Sequence, residues 1–257
     1  MNRQNYKNLE IDVIKYFLEY TVLEKESKGY GLTLDHSNHP TKASIAASGF
    51  FFPALILAKE QNIVNDDEFN TIVKQSLKTL QNVKTFHGFF PHFIDTNTGQ
   101  RFGLCEYSTI DTTLLIAGLL VLDQYTEDSN IHKDIMCIIN QVEWDVFVKD
   151  ETYFMMAYNP DKDGDYITDQ PGFVSKWDMF AEQLLLYIIM AGIVPDKEMT
   201  NTLYNSFERL KSKELIYPPH NTLFIYHMPL CFLDLRELYD QNGVNWHDNA
   251  ILGTQSH

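Results

Sequence analysis

The chain has 257 residues, 44% of them apolar, and it carries 35 acidic against 20 basic side chains, for a formal net charge of −15. That apolar content suits one sizeable core in a single domain over residues 1–257. The charge opposes a nucleic-acid backbone or an anionic membrane surface as partner and favours a neutral or cationic ligand.

In chain order, hydrophobic periodicity predicts helices near 9–27, 41–61, 66–84, 108–126, 131–148, 178–193 and 196–212. Those beginning near 41, 108 and 178 are apolar on nearly every face, as in TTLLIAGLLVL and LLLYIIMAG, which marks helices surrounded by protein. Those near 66, 131 and 196 are amphipathic, as in FNTIVKQSLKTL. This alternation predicts an all-α toroid in which an inner ring of helices is wrapped by an outer one. The long connections HGFFPHFIDTNTGQRFGLCEY and ETYFMMAYNPDKDGDYITDQPGFVSKW carry turn signals at Thr96-Asn-Thr-Gly99 and Asp163-Gly164. They are expected to hold short β-hairpins and to wall a cleft.

The inner segments open at Thr41, Ser108, Ser175 and Asn245, at intervals of 67, 67 and 70 residues, as in a repeated helical hairpin. Three of these openings place an acid one turn in: Ser108-Thr-Ile-Asp111, Ser175-Lys-Trp-Asp178 and Asn245-Trp-His-Asp248. Six such hairpins would need roughly 400 residues. The chain holds nearly four, so either a further segment, a second chain or a second copy covers the open edge, or the ring closes differently.

No basic, apolar and small-residue leader opens the chain, which reads as cytoplasmic, or as secreted or periplasmic had a leader been removed. No apolar run reaches the length of a membrane span. Cys105, Cys137 and Cys231 show no pairing pattern and read as reduced thiols. No metal or cofactor is expected. Asn159-Pro-Asp161-Lys-Asp163-Gly164-Asp165 resembles the start of a calcium loop, but its twelfth position is Gln170, where a bidentate Glu belongs. Zincin histidine spacing, a glycine-rich phosphate loop and a GxSxG elbow are all missing.

The order GFFPHFIDTNTGQRFGLCEYSTIDTTLLIAGLL, EWDVFV, YFMMAYNP, KWDMFAEQLLLY resembles the glucoamylase-like family of bacterial glycoside hydrolases, which includes β-1,2-glucanases. The specific parts are Cys105-Glu106-Tyr107-Ser108-Thr109-Ile110-Asp111 and Trp177-Asp178-x-x-x-Glu182. The resemblance implies an (α/α)6 toroid with a sugar-binding cleft at one end, hydrolysis by carboxylates, and an oligo- or polysaccharide substrate. It also implies that the last third of the family domain lies beyond this chain, and that the region after Tyr226 is shorter than in the family.

Cleaving a glycosidic bond needs a protonated carboxyl at the leaving oxygen and a second carboxylate that activates water or attacks. Asp178 and Glu182, four apart on the expected helix, would share one face. The helix N-terminus would keep Asp178 ionised, while burial beside Phe180, Leu184 and Leu185 would keep Glu182 protonated. Glu182 is therefore the first choice as general acid, and the resemblance points to the same residue. Asp178, Glu106 and Asp111 are the expected catalytic partners or sugar ligands. Structural alternatives stand beside each. Asp111 and Asp178 fit capping boxes, Glu182 could pair with Lys176 or Arg101, and Glu106 could be a solvated acid near a helix start. Aromatic rings stack on sugar faces, and Tyr107, Tyr158 and Trp177, with Phe90, His92 and Arg101, are the expected substrate contacts. The reading is an inverting hydrolase of a β-linked glucan, β-1,2 first, with inversion taken from the family fold. Its rival is a non-catalytic carbohydrate-binding or scaffold protein derived from such an enzyme.

Overall fold

A helix begins where a polar side chain can take up one of the free amides of its first turn. The computed structural model describes residues 3–161, 172–220 and 222–257. Ser44 caps one helix by accepting from the Ala47 amide, Asn65 and Glu68 form a reciprocal capping box, and Ser108, Asp128, Asp196 and Asn245 cap four more. Two of the four predicted openings, Ser108 and Asn245, are thus true caps. The other two are displaced, to Ser44 and to Glu182.

The chain divides into two compact units, Met1–Glu143 with Tyr158–Asp161, and Trp144–Ala157 with Lys162–His257. The first holds α1 (Arg3–Tyr20), β1 (Thr33–Leu34), β2 (Lys42–Ser44), α2 (Ile45–Glu60), α3 (Asp66–Asn82), β3 (Phe93–Asp95), β4 (Gln100–Arg101), β5 (Tyr107–Ser108), α4 (Thr109–Tyr125) and α5 (Ser129–Ile139). β1 to β4 form one antiparallel sheet in sequence order, with Thr33 opposite Ser44, Ser44 opposite Phe93 and Ile94 opposite Arg101. This sheet explains two boundary corrections. Thr21 leaves α1 to bridge Thr33, hydroxyl to hydroxyl at 2.8 Å, so the helix expected to reach 27 stops at Tyr20. Residues 42–44 are taken up as β2, so the helix expected from Thr41 starts at Ile45. The hairpin expected at Thr96–Gly99 is present between β3 and β4.

α2 and α4 form the centre of this unit. α2 buries Phe51, Phe52 and Leu55, and α4 is buried without a break from Thr109 to Leu119. Polar residues survive there because Thr112 and Thr113 donate their hydroxyls back to the carbonyls of Ser108 and Thr109. Pro53 inside α2 has no amide to offer the carbonyl of Gly49, and it is there that α4 approaches closest. A Cβ built on Gly118 would lie 1.9 Å from the Gly49 oxygen, and one on Gly49 would lie 2.4 Å from the Leu114 oxygen. The two helices therefore cross backbone to backbone through a pair of glycines. α3 and α5 are amphipathic, burying Phe69, Val73 and Leu77, and Ile131, Ile135 and Ile138, respectively.

The second unit holds a 3-10 turn at Trp144–Phe147, β6 (Val148–Lys149), β7 (Tyr153–Tyr158, its last residue clustering with the first unit), β8 (Phe173–Lys176), α6 (Gln183–Ile193), α7 (Lys197–Ser206), β9 (Leu210–Ser212), β10 (Leu215–Tyr217), α8 (Leu223–His227), a second 3-10 turn at Met228–Cys231, and α9 (Trp246–Ser256). β7 pairs with β6 and β8, and β9 pairs with β10 in an antiparallel hairpin. The helix expected over 131–148 ends at Ile139, and the one expected over 196–212 ends at Ser206, because residues 210–212 enter that hairpin. The chain is thus helix-rich with short sheets, of which the β3–β4 hairpin was expected. Among the described residues, no helix is long and apolar enough to cross a membrane. The three cysteines are free.

Candidate active site

Within the first unit, the turn before α4 and the strand edge of β3 bring His92 between two carboxylates. Phe90 and His92 are pinned from both sides: the Phe90 amide donates to Thr112 Oγ1 on α4, and the His92 amide donates to the Glu106 carbonyl. His92 Nδ1 lies 2.7 Å from Glu106 Oε1, and Nε2 lies 3.7 Å from Asp111 Oδ1. The ring stacks on Phe93 with centroids 3.8 Å apart. Asp111 is 8% exposed, donates its amide to the capping Ser108 hydroxyl, and accepts a hydrogen bond from that hydroxyl at its carboxylate.

Electrostatics follow from this placement. Burial pushes the Asp111 carboxyl above the usual carboxylate range, against the pull of His92 and Ser108. Burial acts to lower His92, but the hydrogen bond it donates to Glu106 and the charges of Asp111, Glu106 and Asp35 outweigh it and raise the imidazole above its ordinary value. A histidine raised in this way stabilises the fold while it is charged. The contribution is complete below the unfolded value of about 6.5 and is lost as pH rises through the folded one. Titration followed by imidazole NMR shifts should place His92 above its ordinary value, and Glu106→Gln should lower it. An unshifted His92 in the variant would contradict the coupling.

Arg101 is also engaged in this unit. It donates to the Cys105 carbonyl, to Asp161 at 2.6 Å and to Asn159 at 3.1 Å, and it lies over the Tyr107 ring. Asn159 is buried, accepts from the Asp161 amide and donates to the Leu104 carbonyl. Asn159 and Asp161, in sequence the start of an incomplete calcium loop, form the side-chain-bonded turn that Asn-Pro-Asp favours. Their oxygens face a guanidinium instead. Asp163, Gly164, Asp165 and Gln170, the rest of that motif, lie outside the described residues. Among the described residues, no group of three or more His, Cys, Asp or Glu side chains is placed to hold a metal ion.

In the second unit the expected geometry is overturned. Asp178 and Glu182 do not share a helix face, because the backbone before α6 is tied to residue 208. The Glu208 amide donates to the Asp178 carbonyl at 2.7 Å, and the Phe180 amide donates to the Glu208 carbonyl at 2.8 Å. The helix cannot begin until Gln183. Ser175 lies in β8 at a φ of 52°, not at a cap, and Asp178 pairs with Lys176 at 3.2 Å. Glu182 is the N-cap residue of α6, has helical dihedrals, makes no side-chain cap bond and is half-buried. The helix N-terminus thus acts on Glu182, where Asp178 was expected to feel it, and it favours the carboxylate form.

The expected sugar contacts differ in what they can offer. Phe90, Tyr107 and Trp177 are only 3%, 8% and 5% exposed, so they form walls more than open platforms. Trp177 is fixed by its amide to the Phe154 carbonyl. Tyr158 is half-buried and stacks on Phe86 at 3.8 Å, leaving one ring face committed.

A family model described as "Protein of unknown function (DUF3131)" matches residues 16–183, and one described as "Putative glucoamylase" matches residues 174–257. No curated protein matches by sequence. Among solved structures, a "putative glucoamylase" from Bacteroides uniformis superposes with a TM-score of 0.80 at 20% identity, over 97% of this chain and 63% of its own. An endo-β-1,2-glucanase from Chitinophaga pinensis gives 0.78 at 15% identity, over 99% and 66%. A β-1,2-glucanase from Parabacteroides distasonis gives 0.77 at 20%, over 97% and 40%. The fold is shared with all three, and the chain spans less than two thirds of the length of each.

Proposed function

From a chain that belongs over residues 16–183 to the DUF3131 family, and that resembles the glucoamylase-like glycoside hydrolases in its motifs, its fold and the match over residues 174–257, we propose a glycoside hydrolase acting on a β-linked glucan, β-1,2-glucan first. The observation that carries the reading is the position of Glu182. It lies inside the glucoamylase-matching segment, at the mouth of a buried helix whose first turn its side chain does not cap.

In this reading Glu182 delivers the proton to the leaving oxygen. The helix end favours its anion, so the substrate must supply the opposing push by displacing water as it binds. Asp178, Glu106 and Asp111 supply the carboxylate that activates water and the acceptors for sugar hydroxyls. His92 holds Glu106 and Asp111 in place and, with Arg101, contacts the sugar, while Phe90, Tyr107, Tyr158 and Trp177 wall it. The (α/α)6 toroid, acting as one domain with its remaining edge covered by a further segment, a second chain or a second copy, is the architecture that goes with this function. Inversion is its stereochemical course. Proton NMR during hydrolysis of β-1,2-linked oligosaccharides should show the α-anomer of the new reducing end first. The β-anomer first would replace inversion by retention.

A non-catalytic carbohydrate-binding protein is favoured by one specific observation: Asp111, Asp178 and Glu106 have structural partners. Ser108 holds Asp111, Lys176 holds Asp178, and His92 holds Glu106. Measurable glucan binding without any product would select that reading.

A further inference from the structure

In a chain of such acidity, three lysines converge on one hollow that no carboxylate lines. Lys25 and Lys28 come from the loop after α1, and Lys78 comes from α3. They edge a cavity of about 410 Å³, within the range of roughly 300–1,000 Å³ usual for small-molecule sites. Among the described residues none of the three has an ion pair, whereas Lys74, one turn earlier on α3, is taken by Asp128.

The walls are built rather than incidental. Gln75, Lys78, Thr79 and Asn82 lie at spacings of three and four along α3, so they present one face to the hollow. Gln100 ties the β3–β4 turn to the end of that helix, its Oε1 accepting from the Lys84 amide and its Nε2 donating to the Asn82 carbonyl. Gly99, at a φ of 69°, presses on the Lys28 carbonyl so closely that a Cβ would sit 2.7 Å from it. The loop, the turn and the helix are therefore held together before any ligand arrives. On the helix wall, Gln75 Oε1 is buried with no hydrogen-bond partner. An acceptor in that state wants a hydroxyl or amine donor.

We propose that this hollow binds a small polyhydroxylated anion, a sugar phosphate or sugar acid, with the anionic group among Lys25, Lys28 and Lys78 and a hydroxyl donated to Gln75 Oε1 once that side chain turns out of its buried position toward the hollow. The ammonium groups supply charge-assisted hydrogen bonds to the anion, and the amide oxygen selects for the polyol. The site is separate from the residues assigned to hydrolysis, and its test does not depend on hydrolysis occurring.

The experiment is calorimetric titration of the full chain with glucose 6-phosphate, inorganic phosphate and glucose, alongside the double variant Lys28→Gln/Lys78→Gln and the single variant Gln75→Leu. Glucose 6-phosphate should bind about tenfold or more tightly than phosphate, and glucose should not bind measurably. The double variant should weaken glucose 6-phosphate by about tenfold or more at an unchanged thermal midpoint, and added salt should weaken it in the parent. Gln75→Leu should remove the preference over phosphate. No anion binding, binding indifferent to the double variant, or phosphate bound as tightly as glucose 6-phosphate would each overturn the proposal.

Discussion

Glu182→Gln is expected to lower kcat on a β-linked glucan by about 10³-fold, with KM changed by no more than about threefold. The amide keeps the shape of the side chain and removes only its proton and charge. Glu182 makes no cap bond for the substitution to break. The loss of a favourable charge at the α6 N-terminus costs stability of about 1 kcal/mol at most. A folded variant with intact binding and no turnover therefore isolates the chemical step. Asp178→Asn provides the contrast. That residue is 40% exposed at its side chain and paired with Lys176, so its removal should cost much less unless it activates the water. Steady-state kinetics with a thermal melt for each variant checks the pair, and a loss below about tenfold for Glu182→Gln would remove it from the proton transfer.

The second large effect concerns stability. Gly118→Ala should destabilise the chain by about 3 kcal/mol or more, which is large against the few kcal/mol that hold a domain folded. The added methyl would lie 1.9 Å from the Gly49 oxygen, and backbone on both sides leaves nothing flexible to yield. α2 and α4 would have to separate, opening the contact of the most buried helices of the first unit. Gly192→Ala is the control, since nothing lies within 4 Å of its added Cβ and it sits in a helix, where alanine is preferred by about 1 kcal/mol. Denaturant unfolding should separate the two in sign, and a Gly118→Ala chain as stable as the parent would contradict the backbone contact.

Much of the fold was legible because helix periodicity and capping are local. The fully apolar runs of α2, α4 and α6, the amphipathic α3 and α5, the caps at Ser108 and Asn245 and the turn at Thr96–Gly99 can all be read from neighbours in sequence. Boundaries failed where a distant strand intervened. Thr41 and Ser175 carry the right residue types for caps, but β2 is claimed by β3, and residues 178–180 are held by residue 208. The candidate site divides in the same way. Asp111 as a capped, buried acid was visible from Ser108-x-x-Asp111. The bonding of His92 to Glu106, and of Arg101 to Asn159 and Asp161, depends on separations of 14, 58 and 60 residues, which no local pattern encodes. The Gly49–Gly118 crossing was hidden for the same reason.

The central claim is hydrolysis of a β-linked glucan that requires Glu182. Product analysis of the purified chain and of Glu182→Gln, incubated with linear β-1,2-glucan and with other β- and α-glucans, tests it directly. The account predicts new oligosaccharides from the parent on β-1,2-glucan and none from the variant. Products from both chains at equal rates, or from neither on any glucan, would contradict it.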